Sequence, residues 1–297
     1  VTAARPAVAV VGPGAIGTSV AAALHEAGVP VVLCGRTARD RLVLVADDRT
    51  LVVPGPVRTD PAAVAGPVDL VLLAVKATQV EAAAPWLRAL CHAGTVVVVL
   101  QNGVEQVEDV APHVPGCPVV PAVVWFPAEA QADGSVLLRG TPRLTLPDVP
   151  ASRVAVDALA GSRCRVELAA DFRTAAWRKL VQNAVAGIMA ATGRRAGVFG
   201  RDDIADLARA YARECLEVAR AEGADLDDGV ADRIVDDFRA APADQGTSIL
   251  ADREAGRPLE WRARNGVILR RGRAHGLPTP ISAVLVPLLA AAGDGPG

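Results

Sequence analysis

Lysine is almost missing from this chain: of 31 basic residues only Lys76 and Lys179 are lysines. Asparagine is as scarce, confined to Asn102, Asn183 and Asn265. Ammonium and guanidinium differ in shape and acidity, so each surviving lysine invites a chemical explanation beside that of compositional drift. The five cysteines (Cys34, Cys91, Cys117, Cys164, Cys215) contain no CxxC, which excludes a disulfide framework and a zinc site and leaves them as small buried hydrophobes. His25, His92, His113 and His275 are isolated, so neither a metal cluster nor a histidine-centred triad can be assembled. A net charge of -2 and a pI near 6.1 provide no basic field for nucleic acid or a membrane surface. The apolar runs, such as Val96–Leu100 and Ile281–Ala292, are too short or too Pro-interrupted for a bilayer span of about 20 residues. The run Ala7–Val11 feeds directly into a glycine loop, unlike a secretory leader, and a cytoplasmic location is expected.

What is present is aliphatic: aromatics make up 3% of the chain, yet hydrophobic residues reach 51%, mostly Ala, Val and Leu, the material of buried parallel strands and amphipathic helices. At 297 residues, two domains are the natural expectation. Ala7–Val11, Ala15–Ala27 and Pro30–Leu33 read as strand, helix and strand. Arg41–Val57 reads as a hairpin or meander, and Asp69–Val75 and Thr95–Leu100 as two more parallel-sheet strands around a helix at Gln79–Leu90. From Cys117 to Leu146, strands broken by Gly, Pro and Asp133-Gly134 suggest an antiparallel extension at the sheet edge. Ser152–Leu159 and Cys164–Leu168 read as a last helix and strand. Beyond Asp171 helices are expected over Phe172–Ala191, Asp203–Ala221, Val230–Arg239 and Pro258–His275, with a frayed tail over Gly293–Gly297. The expected fold is therefore α/β, a Rossmann-type doubly wound sheet over residues 1–168 followed by an all-helical domain over 169–297.

Gly12-Pro13-Gly14-Ala15-Ile16-Gly17 matches GxGxxG between a strand and a helix, the context that gives this motif its meaning. Gly12 suits the tight turn, Gly14 a close approach of pyrophosphate, and Gly17 the packing of helix on strand. The helix start at Ala15 and Ile16 then faces the phosphates. A glycine-rich helix start without a ligand is the competing explanation. An NAD-selective site places an acid at the end of the second strand, but Leu33-Cys34-Gly35-Arg36 has none before Asp40. Arg36 instead suits a 2′-phosphate, which favours NADPH/NADP+. Arg39 and Arg41 either assist or are solvated.

Lys179 and Asn183 are four apart in Trp177-Arg178-Lys179-Leu180-Val181-Gln182-Asn183, hence on one helix face. Hydride reduction of a ketone generates an alkoxide, which needs an acid and a positive charge; Lys179 can supply both while Asn183 orients substrate. A solvated lysine is the bland alternative. Trp86, Trp125, Trp177 and Trp261 read as packing anchors, with Trp125 and Trp261 also able to line a pocket. Asp206, Arg209, Arg213 and Glu217 read as a solvated face.

These segments, in this order, resemble the ketopantoate reductase (2-dehydropantoate 2-reductase) family over essentially the whole chain. The marks are Gly12–Gly17, Ala74-Val75-Lys76-Ala77, Leu100-Gln101-Asn102-Gly103, residues 177–183, Thr247-Ser248 with Asp252, and Gly256-Arg257-Pro258-Leu259-Glu260 leading to Asn265-Gly266. The resemblance implies NADPH-dependent reduction of a 2-oxo acid, 2-dehydropantoate to pantoate in pantothenate biosynthesis. It implies Lys179 as proton donor and Glu260 as the acid that meets the cofactor and organises the site. It places Asn102 near nicotinamide and substrate, Lys76 beside the cofactor, Asn183 and Ser248 on the substrate, and Arg36 on the 2′-phosphate.

The chain departs from the family where many members carry a second asparagine, here Gly187, and an aspartate, here Arg262. Gly187 suggests room for a bulkier substrate. A related two-domain NADP-dependent dehydrogenase of a different oxo or hydroxy acid, and a non-catalytic NADPH-binding sensor, therefore stay open, and so does a homodimer. The cofactor preference is testable directly: Arg36→Asp should weaken NADPH binding by roughly 10- to 100-fold, the worth of one or two charge-assisted hydrogen bonds, and NADH far less. Equal losses for the two in a fluorescence titration would remove Arg36 from the 2′-phosphate.

Overall fold

The computed structural model describes residues 6–46 and 49–294. Most of the expected Gly293–Gly297 tail, residues 295–297, lies outside the described residues; Gly293 itself ends a helix. The chain divides into two compact units. One comprises the residues up to Gln101 and Glu105–Phe172; the other comprises Asn102–Val104 and the residues from Arg173 onward.

The first unit begins β1 (Val8–Val11), α1 (Ala15–Glu26), β2 (Val31–Cys34), β3 (Arg41–Ala46), β4 (Arg49–Pro54), β5 (Leu70–Leu73), α2 (Val80–Leu90) and β6 (Val96–Val99). It continues with α3 (Gln106–Val110), β7 (Val119–Pro121), β8 (Val123–Val124), β9 (Ala128–Ala130), β10 (Val136–Leu138), β11 (Arg143–Pro147), α4 (Ser152–Leu159) and β12 (Arg165–Ala169). The main sheet is parallel throughout, in the order β2-β1-β5-β6-β7. Its runs VAVV, LVLL and VVVV are buried on both faces, as a sheet covered twice requires. Val8, Val10, Leu70 and Leu72 pack into one core with α1 residues, while Ala9, Val11, Val71 and Leu73 pack into another with Trp86, Leu87 and Leu90 of α2. This is the doubly wound arrangement.

The region after Cys117 differs from the expected antiparallel edge. β7 pairs parallel with β6 and so continues the main sheet. β8 pairs antiparallel with β11, which pairs parallel with β12. β9 and β10 form an antiparallel hairpin with Gly134 in its turn, and β10 joins β3 in parallel. The cause lies in α1, whose residues Gly17–Leu24 are all buried. A helix buried all round needs cover on the side away from the main sheet, and α1 meets β3, β4, β9 and β10 there. The hairpin expected at Arg41–Val57 is β3–β4, in antiparallel register from Arg41↔Pro54 to Ala46↔Arg49.

The second unit is helical: α5 (Phe172–Thr192), α6 (Asp202–Ala221), α7 (Gly229–Ala240), α8 (Ser248–Glu254), a π-turn at Arg262–Gly266 running into α9 (Val267–Ala274), and α10 (Pro280–Gly293). Two helices escape the sequence expectation. α8 is only two turns long, too short for periodicity to register, and in α10 Pro287 interrupts an otherwise uniform apolar run. The helix expected from Pro258 starts later, because Gly256 at φ 61° and the Arg257 N–H, donated to the Asp252 carbonyl at 2.8 Å, close off α8 first. α10 opens with proline at its first position and is capped from α6: Glu214 accepts the Ile281 N–H at 2.8 Å, the Ser282 N–H at 2.9 Å and the Ser282 hydroxyl at 2.6 Å. A carboxylate on helix N-terminal donors satisfies orphan groups and complements the dipole. The expected solvated face on α6 carries ion pairs to α7, with Arg209 reaching Asp232 and Asp236.

All five cysteines are free and buried. Burial pushes the thiols of Cys34, Cys91 and Cys164 up to about 12, so they stay protonated. Trp86 and Trp177 are buried anchors, and Trp125 donates to Thr145 Oγ1 at 2.9 Å beneath the Arg143 guanidinium. Among the described residues no helix is long and apolar enough to cross a membrane, and no group of three metal-ligating side chains gathers.

Gly187 does not open a space. A Cβ there would meet Asn265 Nδ2 at 2.6 Å and Oδ1 at 3.1 Å. Asn265 is fully buried, donating to the Ala184 carbonyl at 2.9 Å and the Tyr211 hydroxyl at 3.0 Å. The room expected for a bulkier substrate is filled by this side chain. Gly187→Ala ordinarily gains about 1 kcal/mol in a helix; here it should instead lose roughly 1–3 kcal/mol through overpacking. Denaturant unfolding checks the sign, and a stabilised Ala variant would contradict the packing described.

Candidate functional site

The first cluster lies where the order of the main sheet reverses. β1 runs on to β2 on one side, and β5 takes the place on its other side, so the loops after β1 and β5 stand together at the strands' C-terminal ends, where doubly wound folds bind ligands. Gly12 turns the chain at φ 89°, and a Cβ there would strike Val75 at 2.7 Å, so the Ala74-Val75-Lys76 loop sits directly against the glycine loop. The Ala74 N–H donates to the Val11 carbonyl at 2.8 Å and fixes that approach. A Cβ on Gly17 would lie 2.2 Å from the Gly12 carbonyl oxygen, which only glycine permits. Gly14 is exposed, and nothing lies within 4 Å of where its Cβ would stand.

α1 starts behind Gly14 with no side-chain cap and no acid in its first turn, so the N-terminal donors at Ala15 and Ile16 are electropositive. The Gly12 N–H donates to the Cys34 carbonyl at 2.8 Å, which places the end of β2, and exposed Arg36 two residues on, next to the loop. Lys76 is half-buried at the start of the turn Ala77–Gln79. An uncapped helix start, an open glycine and a nearby guanidinium fit a dinucleotide with an extra phosphate.

The second cluster belongs to the helical unit, which includes Asn102–Val104. Asn183, 8% exposed on α5, donates from Nδ2 to Asn102 Oδ1 at 3.1 Å. Asn102 donates from Nδ2 to Glu260 Oε2 at 3.3 Å. Glu260 is 5% exposed, at the residue before the helical turn that leads into the π-turn. Lys179 is half-buried one turn before Asn183 on the same face of α5. Ser248, exposed at the first position of α8, accepts from Arg264 Nη2 at 2.8 Å.

Asn102, Asn183 and Glu260 are thus one hydrogen-bonded line with Lys179 on its helix, and Ser248 is joined to it through Arg264. Arg262, where the family pattern has an acid, is exposed.

Two residues of this cluster went unassigned in the sequence. Arg264 is 2% exposed and 3.8 Å from Glu260 Oε2. Its spacing of four from Glu260 was the available signal. Asn265 was noted only as a motif letter; its role depends on Gly187, 78 positions away in sequence and visible only when folded.

The pattern described as Ketopantoate reductase PanE/ApbA matches residues 8–151, and that described as Ketopantoate reductase PanE/ApbA C terminal matches residues 171–292. The chain is 60% identical over 291 residues to a 2-dehydropantoate 2-reductase of Mycobacterium tuberculosis, covering 98% of this chain and 99% of that protein. It is 39% identical to the corresponding protein of Caulobacter vibrioides, covering 96% and 98%. A dimeric ketopantoate reductase from Staphylococcus aureus superposes with a TM-score of 0.88 at 28% identity, covering 97% of this chain and 98% of that one. With both units matched and a relative 60% identical along nearly the whole length, the chain belongs to the ketopantoate reductase family.

Proposed function

We propose that this chain catalyses the NADPH-dependent reduction of 2-dehydropantoate to pantoate, with the cofactor held by residues 1–168 and the substrate by residues 169–297 together with Asn102. The observation that carries the chemistry is the line Asn183–Asn102–Glu260 beside Lys179. Bound NADPH supplies the hydride for the carbonyl carbon. Gly12, Gly14, Ala15, Ile16 and Gly17 would hold its pyrophosphate, Arg36 its 2′-phosphate, and Lys76 would border it; in the helical unit, Asn102 and Glu260 are the residues proposed to meet the cofactor.

As the carbonyl oxygen gains negative charge, the Lys179 ammonium donates its proton to it, and solvent later returns one to the amine; one proton is consumed for each hydroxyl formed. The carboxylate of Glu260, able only to accept, fixes the Asn102 amide with its nitrogen toward Glu260. The Asn102 oxygen must then accept, which fixes Asn183. Each amide retains a second N–H with which to orient the substrate, and Ser248 contributes a hydroxyl. Preorganised amides and an ammonium of this kind cost no reorganisation as charge develops. With Asn265 occupying the space beside Gly187, nothing at that position favours a larger acid. The Staphylococcus aureus relative is dimeric, and a homodimer is the assembly proposed here.

Loss of NADPH absorbance with 2-dehydropantoate, measured beside bulkier 2-oxo acids, tests the assignment; turnover confined to the bulkier acids would reject it. Lys179→Ala should lower kcat by about 100- to 10,000-fold, the usual worth of a general acid. NADPH affinity should change little in the same variant, and near-normal turnover would remove Lys179 from the proton transfer.

A further inference from the structure

Arg264 is a buried cation whose hydrogen bonding is incomplete. Its Nη2 donates to Ser248, but Glu260 at 3.8 Å is beyond hydrogen-bond range and its Nε is buried with no partner. Asp252, the other acid that acts on it, is engaged by Arg257 at 2.9 Å. Burial pushes the guanidinium pKa down, Glu260 and Asp252 push it back up, and an arginine side chain stays charged. Taking such a charge out of water is costly unless partners replace the solvent, so the guanidinium depends on its hydrogen bond to Ser248 and on the two nearby carboxylates.

Of these three partners Ser248 is exposed, while Glu260 and Asp252 are buried. Arginine offers only donors, so in the contact with Arg264 the Ser248 oxygen must accept, and the Ser248 proton is turned away from the guanidinium. Ser248 is exposed, whereas Arg264 is not. An exposed hydroxyl held as a donor, with a guanidinium behind it, is matched to an anionic acceptor. Lys179 is already assigned, in the proposed reaction, to the oxygen that becomes the alkoxide, so the carboxylate falls to another group.

We propose that Arg264 is a positioning residue that selects the carboxylate of the substrate: it fixes Ser248 as the donor to that carboxylate and supplies the positive charge behind it. This inference rests on the proposed 2-oxo acid reduction, with Ser248 on the substrate. Because Arg264 itself is buried, it acts through Ser248.

The test compares the 2-oxo acid with its neutral 2-oxo amide in the full-length protein. In Arg264→Met, KM for the acid should rise roughly 10- to 100-fold, the range of a charge-assisted hydrogen bond, with kcat changed less than about threefold. KM for the amide and the affinity for NADPH should stay near their original values. Arg264→Lys, which keeps charge and donors, should recover part of the loss. Ser248→Ala should raise KM for the acid, and adding it to Arg264→Met should cost little more, since the two act as one path. Thermal unfolding of each variant reports whether it is folded; if the Met variant is not, Arg264→Gln, which keeps a donor without the charge, makes the same acid-to-amide comparison.

A KM that rises equally for acid and amide, a loss confined to kcat, or no change in a folded variant would overturn the role of Arg264 alone. A protein that binds NADPH but reduces no 2-oxo acid would overturn the reductase reading and this inference with it.

Discussion

The hydrogen bond from Asn102 to Glu260 is the constraint around which the helical unit's site is arranged. A carboxylate can only accept, so it sets the orientation of the Asn102 amide, which in turn sets that of Asn183. Three side chains from segments far apart in sequence thereby share one polarity, and rotating either amide would break the line. Asn183 belongs to the same helix face as Lys179, so this rigid line also sets the surroundings of the ammonium. Arg264, on the π-turn just past Glu260, extends the arrangement to Ser248. A π-turn widens the helix locally, and such turns recur at functional positions.

The first unit solves a different problem, the close approach of backbone to backbone in its glycine loop. Its glycines are distinguished by what surrounds them. Gly12 and Gly17 are glycines because Val75 and the Gly12 carbonyl fill the space a Cβ would need, whereas around Gly14 that space is open. Packing thus accounts for two of the loop's glycines and leaves the space at the third open. The parallel strands make this possible: buried on both faces, they hold the loops after β1 and β5 at one edge with little freedom.

Polar groups inside the helical unit act mainly as fasteners. Glu214 on α6 caps α10, whose proline at the first turn and uniform apolar run would not by themselves fix where the helix begins. Asn265 joins the π-turn to α5 and α6 through Ala184 and Tyr211, and it fits because Gly187 has no side chain. The departure from the family pattern at Gly187 is thus accounted for by internal packing, and the residue that occupies the space is itself one of the chain's three asparagines.

Much of this was legible in one dimension. Short-range physics governs a glycine loop between strand and helix, an arginine where an acid would select NAD, and two polar residues four apart on one helix, so these can be read from neighbours in sequence. The scarcity of lysine and asparagine singled out residues that the fold gathers: Asn102 and Asn183 are hydrogen-bonded, Lys179 is one turn before Asn183, and Asn265 packs against Gly187. Pairings that close over long separations were not legible. The hairpin β9–β10 joins β3 because α1 is buried all round, α8 is too short to show a period, and Arg264 and Asn265 take their meaning from Ser248 and Gly187. The sequence by itself determined the doubly wound half with its glycine loop, the helical half and the residue types available to each. Only the tertiary structure decided which of those residues share a hydrogen-bonded line and which spaces are already full, because hydrogen bonds and excluded volume act on distances in space.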